Sequence, residues 1–211
     1  MADNYLDKKM EEYLLKPANT KRKGAVKLSQ LILRNRSCRG YDKLFIVRED
    51  QLLSIIDAAR LSASARNQQV LRFKPITGDG AQQMLPLIKM GAALPHLNLP
   101  TPGTEPNAYI IICSTIPENR EVLIDLGIAA QSMLLRAVEM GLNGLCIAAF
   151  NPERVREEFK LELQPLLIIA IGKGCEKYEI REIGENESHK YYREGDIHCV
   201  PKLSLEEIII K

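Results

Sequence analysis

Two closely spaced arginines are the first residues whose spacing suggests chemistry. The run Arg36-Ser37-Cys38-Arg39 places two guanidinium groups three residues apart, with a hydroxyl between them. On a helix such residues share one side. A guanidinium group is planar and matches phosphate oxygens with two parallel hydrogen bonds. The run is therefore typical of a phosphate site, although a solvated basic turn has the same composition.

Two further clusters carry groups suited to a flat heterocycle. The segment 62–69 combines small residues with Asn67, Gln68 and Gln69. Amide side chains donate and accept hydrogen bonds, as the edge of a heterocycle requires. The segment 141–148 joins a glycine-rich turn to an apolar strand, so its backbone can approach a ring closely. An ordinary polar loop and an ordinary helix end are the alternatives.

Other catalytic sets do not occur in the sequence. His96, His189 and His198 lie far apart without metal-binding spacing, so we predict no metal site. Neither a nucleophile elbow, a dinucleotide fingerprint nor a phosphate-binding P-loop motif is found. Cys146 lies in an apolar strand, and we interpret it as a buried small hydrophobe rather than a nucleophile. A protein without its own reactive group normally uses a cofactor, and we predict no catalytic acid or base.

The elements that position these clusters follow from the spacing of apolar residues. Helices are predicted over residues 28–35, 49–61, 82–90 and 120–140, and one more begins at Asn151-Pro152. Strands are predicted over residues 72–77, 108–114, 145–150 and 166–171, the first at an edge because it contains Pro75. Helix 120–140 is apolar on two sides, which predicts a nearly enclosed helix. The result is a mixed α/β protein.

Composition excludes several classes of protein. The 211 residues contain 29 Lys and Arg against 27 Asp and Glu, a net charge of +2 that argues against a nucleic-acid binder. Five scattered cysteines favour a reducing compartment. No apolar run approaches the roughly 20 residues of a membrane span. We expect a cytoplasmic protein that binds neither nucleic acid nor membrane, with residues 1–27 as an exposed arm.

In their order and spacing, the clusters resemble those of the flavin-dependent nitroreductase family. The resemblance runs from about Leu31 to the C-terminus, and its tail is similar to that of an anaerobe-associated branch. It implies an α+β fold over residues 28–211, a single domain with a central mixed sheet flanked by helices and a long central helix at a homodimer interface. The segments that carry it are 35–39, 62–71, 125–127 with 141–144, 170–174, 191–193 and 198–202.

The same resemblance implies FMN as the cofactor, bound at the dimer interface. Arg36, Ser37 and Arg39 would hold the phosphate and ribityl chain, and Lys202 would add charge at the phosphate. A second set would reach the flavin from the partner subunit: Ser64, Ala65, Asn67 and Gln69. A third set would line the isoalloxazine ring with its backbone: Gly144, Leu145, Cys146, Ile147 and Ala148.

The implied activity is a two-step transfer in which NADH or NADPH reduces the flavin and leaves. A nitroaromatic, a quinone or a similar small-molecule acceptor is then reduced. Three departures from the family pattern, at Asn35, Leu71 and Leu203, keep a second hypothesis open: a flavin-binding protein without turnover, acting as a sensor or FMN store. Another flavin chemistry, such as dehalogenation or flavin cleavage, is the third. The proline-rich loop 95–106 would shape the substrate entrance and decide between them.

Overall fold

A computed structural model of the chain describes residues 26–91, 94 and 97–210. Most of the predicted N-terminal arm, as well as Pro95 and His96, lies outside the described residues. Residues 97–106 of the proline-rich loop contain neither helix nor strand, as predicted. The carbonyl of Thr104 in this loop accepts a hydrogen bond of 2.9 Å from the Tyr41 amide.

Six helices and seven strands form the described part of the chain. The helices are α1 Leu28–Arg34, α2 Glu49–Arg60, α3 Asp79–Met84, α4 Arg120–Glu139, α5 Pro152–Glu158 and α6 Leu205–Ile208. The strands are β1 Leu71–Thr77, β2 Ala108–Ser114, β3 Asn143–Ile147, β4 Gln164–Gly172, β5 Lys177–Ile183, β6 Tyr192–Glu194 and β7 Ile197–Leu203. None of the helices within the described ranges is both long and apolar enough to cross a bilayer.

The central sheet has the strand order β1-β2-β4-β3 and is covered on both faces. Every residue of β2 is buried. Because neighbouring residues of a strand point to opposite faces, Ile110 and Ile112 pack with α2 and α4, whereas Tyr109 and Ile111 pack on the side of α3 and α5. The long buried strand therefore forms the centre of three layers. Pro75 lies in the edge strand β1, as predicted, where a missing N–H is tolerated.

The long helix α4 is confirmed, but one side of it is open. Its first turn is capped by Asn119, whose side-chain oxygen accepts from the amides of Glu121 at 2.9 Å and Val122 at 3.1 Å. The sequence predicted a nearly enclosed helix. Within one chain, however, Ile124 is 52% exposed and Ile128 is 38% exposed. The sheet and α2 cover only one side of α4. The apolar residues of the helix extend beyond that side, so some of them remain exposed.

A second sheet of three strands follows residue 175, in the order β5-β7-β6. β5 pairs with β7 in parallel, and β6 pairs with β7 antiparallel. The sequence did not predict these strands. The α+β class is confirmed, but the central sheet is antiparallel in all of its strand pairings, and the parallel pairing lies in this second sheet. An isolated parallel bridge between Ser37 and Gly144 extends the edge of the central sheet.

The shorter predicted elements shift by a few residues. The helix predicted over 82–90 begins earlier, at Asp79, and gives way to a 3₁₀ turn over Leu85–Leu87, which contains a proline. The strand predicted over 145–150 is β3, which begins at Asn143 and ends at Ile147. The helix at Asn151-Pro152 is confirmed, since the Asn151 side chain accepts a 3.1 Å hydrogen bond from the Arg154 amide.

Candidate functional site

A cavity of about 270 Å³ lies between the segment that follows α1 and the second sheet. Four side chains that carry or can carry positive charge line it: Arg36, Arg39, His198 and Lys202. Residues Ser37, Gly144, Tyr178 and Tyr191 complete much of its wall. A wall with this many cationic groups is suited to an anion.

The backbone holds the arginine segment against β3. The Cys38 amide donates a 3.1 Å hydrogen bond to the Gly144 carbonyl. Gly144 has no room for a side chain, because a Cβ atom there would lie 2.5 Å from Leu134 Cδ2 and 2.9 Å from the Ala170 carbonyl oxygen. Residues 35–40 are not helical. Arg36 reaches the cavity instead from an extended segment, with its guanidinium donating to the Ile32 carbonyl at the end of α1.

Strand β7 forms the opposite wall. Successive residues of a strand alternate between its two faces, so His198, Val200 and Lys202 share one face. All three line the cavity. Tyr178 of β5 is the register partner of His198 and also lines it. The second sheet therefore presents one face to the arginine segment.

The charges around the cavity do not balance. Glu176 is the nearby carboxylate, and it accepts hydrogen bonds from Arg193 at 2.6 Å, from the Tyr178 hydroxyl at 2.6 Å and from the Arg39 amide at 2.7 Å. Its charge is thus compensated by Arg193. In the described part of the chain, the side chains of three cavity residues form no ion pair within 4.0 Å: Arg36, Arg39 and Lys202.

Buried nitrogen atoms without partners are concentrated at the same place. Among the described residues, four buried side-chain nitrogen or oxygen atoms lack a hydrogen-bond partner, and three of them belong to cavity residues. These are Arg36 Nε, Arg39 Nε and His198 Nδ1. Leaving such a group buried and unpaired costs roughly 1–3 kcal/mol, so three together indicate a ligand that accepts hydrogen bonds.

The titratable groups of the cavity are shifted toward their neutral forms by burial. Burial, followed by the charge of Arg39, lowers the pKa of His198 below its ordinary value of 6.5. The thiol of Cys38, between Ser37 and Arg39, is buried in the core behind the cavity, and burial raises its pKa to about 12, which keeps it protonated. The cavity therefore offers fixed arginine charges and a neutral imidazole, but no thiolate nucleophile.

A second cavity, of about 250 Å³, lies beside the cluster 62–69. Ser64 and Gln69 line it together with Asp125 of α4. The Ala65 amide donates a 2.8 Å hydrogen bond to the buried carboxylate of Asp125, which fixes the loop on the helix. Asn67 and Gln69 have φ values of 54° and 49°, a conformation that costs non-glycine residues about 1 kcal/mol or more.

Helix α4 stands between the two cavities. Asp125 and Ala129 line the second cavity, whereas Gln131 and Leu134 line the first. Nine residues separate Asp125 from Leu134, which is about 2.5 helical turns and brings the two onto opposite sides of the helix. Among the described residues, none lines both cavities.

Comparisons with known proteins identify this architecture. Residues 104–173 match the model of the nitroreductase family. A nitroreductase family protein of Streptococcus pneumoniae TIGR4 superposes with a TM-score of 0.63 at 18% identity, over 88% of this chain and 100% of that chain. The chain has the nitroreductase fold. The resemblance found in the sequence is confirmed, although no curated protein matches the sequence.

Two other solved structures with the nitroreductase fold carry more specific names. An FMN-dependent nitroreductase of Clostridium difficile R20291 is 23% identical, with a TM-score of 0.55 over 71% of this chain and 89% of that chain. A candidate NADH dehydrogenase/NAD(P)H nitroreductase of Parabacteroides distasonis ATCC 8503 is 26% identical, with a TM-score of 0.57 over 71% of this chain and 88% of that chain. These comparisons establish the fold of this chain, and the FMN and NAD(P)H in these names belong to the neighbours.

In this nitroreductase fold, the segment 144–148 runs along the outer edge of the central sheet. Strand β3 pairs with β4 on one side, and within the described residues no strand pairs with its other side. Leu145 and Ile147 are buried in the core, whereas Cys146 and Ala148 are exposed. The interpretation of Cys146 as buried is therefore wrong: in an edge strand, alternate side chains leave the core even when the whole run is apolar.

The structure brings together five of the predicted site residues around the first cavity: Arg36, Ser37, Arg39, Gly144 and Lys202. It places Ser64 and Gln69 at the second cavity, with Ala65 and Asn67 in the same loop. The sequence assigned no role to Tyr178, Tyr191 or His198. His198 and Lys202 are four residues apart, an even spacing that would have revealed the shared face once residues 197–203 were recognised as a strand.

Proposed function

We propose that this protein is an FMN-dependent oxidoreductase of nitroreductase type that takes its electrons from NADH or NADPH. One observation carries the proposal: among the described residues, three buried nitrogen atoms without hydrogen-bond partners and three cations without ion pairs belong to residues that line one cavity. The phosphate monoester of FMN carries nearly two negative charges at pH 7 and three acceptor oxygens. It therefore matches both the charge and the hydrogen-bonding needs of the cavity.

Different residues of the cavity would bind different parts of FMN. Arg36, Arg39 and Lys202 would bind the phosphate, and the Ser37 hydroxyl would donate to it. Gly144 packs closely against α4 and β4, so its backbone lies at the cavity wall, where the ribityl chain would pass. When bound, FMN supplies reversible transfer of two electrons. The edge of β3 over residues 144–148 would line the isoalloxazine ring with backbone groups, which stabilise negative charge on a bound ligand when their N–H groups face it.

A homodimer would complete the site. The cluster 62–69 and the arginine segment lie on opposite sides of α4, so both reach one flavin only if a second copy supplies one of them. The exposed apolar stripe of α4, with Ile124, Gly127 and Ile128, offers the surface for that contact. In this arrangement Ser64, Ala65, Asn67 and Gln69 of one copy approach the flavin held by the other. Asp125 keeps that loop in place.

The visible spectrum of the purified protein tests the cofactor. We expect a flavin absorption band after incubation with FMN and removal of the excess. Anaerobic mixing with NADH or NADPH in a stopped-flow instrument should then bleach the band rapidly. A nitroaromatic or a quinone should restore it. A protein that stays colourless after incubation with FMN would refute the proposal.

The same measurement separates the competing hypotheses. A bound flavin that neither NADH nor NADPH bleaches would favour the flavin-binding protein without turnover. The structure offers that alternative no specific support: Asn35, one of the three departures, lines the cavity and donates a 3.3 Å hydrogen bond to Gln131 of α4. Light scattering coupled to size-exclusion chromatography measures the dimer independently of any flavin.

A further inference from the structure

We propose that His198 is an additional ligand of the FMN phosphate and that it takes up a proton when the phosphate binds, so that FMN binds less tightly as the pH rises. This inference rests on the proposed function. It assigns a task to a side chain that the arginine motif does not include.

The position of His198 is fixed by its strand and by two aromatic rings. It lies on the same face of β7 as Lys202, and it is only 4% exposed. The Tyr178 ring is 5.7 Å away between ring centroids, at 79°. The Tyr191 ring is 5.2 Å away. These two contacts hold the imidazole in place, yet its buried Nδ1 atom has no hydrogen-bond partner in the part of the chain that the structure describes.

The second tyrosine also orients the neighbouring arginine. The Arg39 guanidinium stands 5.0 Å from the centroid of the Tyr191 ring, and its Nη2 atom donates to the Tyr191 hydroxyl at 3.2 Å. Arg39 itself is 8% exposed, with an unpaired Nε. His198 and Arg39 are thus two buried, oriented groups with unsatisfied nitrogen atoms at one cavity, the arrangement that an acceptor-rich ligand resolves.

The charges that face His198 come from every neighbouring element. Arg39 and Arg36 approach from the segment after α1, Arg193 from β6, and Lys202 from the same strand. Glu176, just before β5, is the opposing carboxylate, and Arg193 already compensates it. The hydroxyl of Tyr178 stays protonated, because burial raises its pKa. Without a ligand, this surplus of positive charge and the burial keep the imidazole neutral near pH 7.

A bound phosphate reverses this electrostatic environment. Two negative charges beside the imidazole favour its charged form, so the pKa of His198 is higher in the complex than in the free protein. Binding is then tightest below the lower pKa and weakens as the pH rises toward the higher one, by up to about tenfold per pH unit. The second ionisation of the phosphate, near pH 6, acts in the opposite direction, because the dianion binds better. The window above about pH 6.5 therefore isolates the histidine.

Calorimetry with FMN tests the proton uptake directly. Titrations in two buffers with different ionisation enthalpies give the number of protons taken up per FMN bound. Fluorescence titrations give the dissociation constant between about pH 6.5 and about pH 8.5. Riboflavin, which has the same ring and chain without the phosphate, is the matched probe. His189→Gln is the matched variant, since His189 is exposed and does not line the cavity.

For the wild type and His189→Gln, we expect uptake of a substantial fraction of one proton with FMN and none with riboflavin. The FMN dissociation constant should rise about three- to tenfold across the pH window. His198→Gln should show neither the uptake nor the rise. Unchanged uptake in His198→Gln, or equal uptake with riboflavin in the wild type, would overturn the assignment.

The failures of the two proposals are distinguishable. If FMN does not bind at any pH, the proposed function is wrong. If FMN binds but the wild type takes up no proton, only the assignment of His198 is wrong. The wild-type titrations test for proton uptake even if His198→Gln does not fold, which circular dichroism would show.

Discussion

The two cavities beside α4 differ in how far one chain satisfies them. Around the first, within the described residues, three cations form no ion pair and three buried nitrogen atoms have no hydrogen-bond partner. Around the second, the loop 64–69 satisfies much of its own hydrogen bonding: the Gln69 amide donates to the Ser64 hydroxyl at 3.3 Å, and the Ala65 amide donates to Asp125. We propose the first cavity as an anion site, and one chain supplies the cations that line it. The loop beside the second cavity is strained, but its hydrogen bonds are largely satisfied. This is what we expect of a loop that would complete the flavin site of a second copy.

This difference assigns phosphate binding to the first cavity and dimer assembly to the other side of α4, two functions that the sequence motifs did not separate. Loss of a positive charge at the first cavity should lower the affinity for the FMN phosphate and leave the homodimer intact. Damage at the α4 stripe should prevent assembly and leave the charges in place. Variants on each side of α4 therefore test the comparison.

The largest effect is expected from Arg39→Met. It removes a buried cation and its hydrogen bonds while keeping much of the side-chain volume, so FMN affinity should fall roughly 10- to 100-fold, as expected for a charged hydrogen bond of about 1.5–3 kcal/mol. Fluorescence titration measures this loss. Arg48→Met, at an exposed position, is the control and should bind FMN normally. An equal loss of riboflavin affinity in Arg39→Met would show that the change is structural and not a loss of phosphate binding.

The next effect concerns assembly. Ile128→Arg places a charge on the exposed stripe of α4, where burial against a second copy would be costly, so the dimer should dissociate. FMN should then bind weakly, although Arg36 and Arg39 are unchanged. Light scattering reports the mass, and the flavin spectrum reports the binding. Ile180→Arg, a residue of similar exposure on β5, is the control. A monomer that still binds FMN tightly would break the link between the two cavities.

A smaller effect is expected for the loop on the second cavity. Asp125→Ala leaves the Ala65 amide without its acceptor, so the free energy of unfolding should fall by roughly 1–3 kcal/mol. Asp125→Asn keeps an acceptor oxygen and should lose less. Urea unfolding compares the two variants. Equal losses in both would mean that the carboxylate charge, rather than this hydrogen bond, holds the loop.

The smallest effect depends on whether Gly127 faces a second copy. A Cβ atom at this position meets no heavy atom of the described residues within 4 Å. Alanine should therefore stabilise α4 by roughly 1 kcal/mol in a monomer, because glycine is a poor helix former. Measured by urea unfolding in the Ile128→Arg background, Gly127→Ala should show this gain. In the wild-type background the gain should be smaller. Equal gains in both backgrounds would indicate that no second copy packs closely there.

The layered core was predictable from the sequence because its signals are local. β2 and β4 are continuous apolar runs of strand length rich in isoleucine, and α4 repeats apolar residues every three or four positions. The exposure of Cys146 was not predictable, since a short apolar run reads alike in a central strand and in an edge strand. Only the strand order of the sheet distinguishes the two.

The second sheet and its part of the candidate site depend on long-range pairing. β5 pairs in parallel with β7 rather than with its neighbour in sequence, and no local pattern specifies that choice. His198 and Lys202 share a face only once this strand exists. The resemblance placed Lys202 near Arg36 and Arg39, and the structure brings the three to one cavity. Their contact with FMN stays a prediction.

Gly144 sets a limit on how this cavity could be redesigned. A methyl group at this position would collide with Leu134 on one side and with the backbone of Ala170 on the other, so even alanine requires the helix and the sheet to separate. Close packing therefore excludes any side chain at Gly144, the residue through which β3 lines the cavity. Val200, only partly buried on β7, lies on the opposite wall. To change which ligand the protein binds, substitutions should therefore be made on the second sheet, at positions such as Val200, and not at Gly144 on the central sheet.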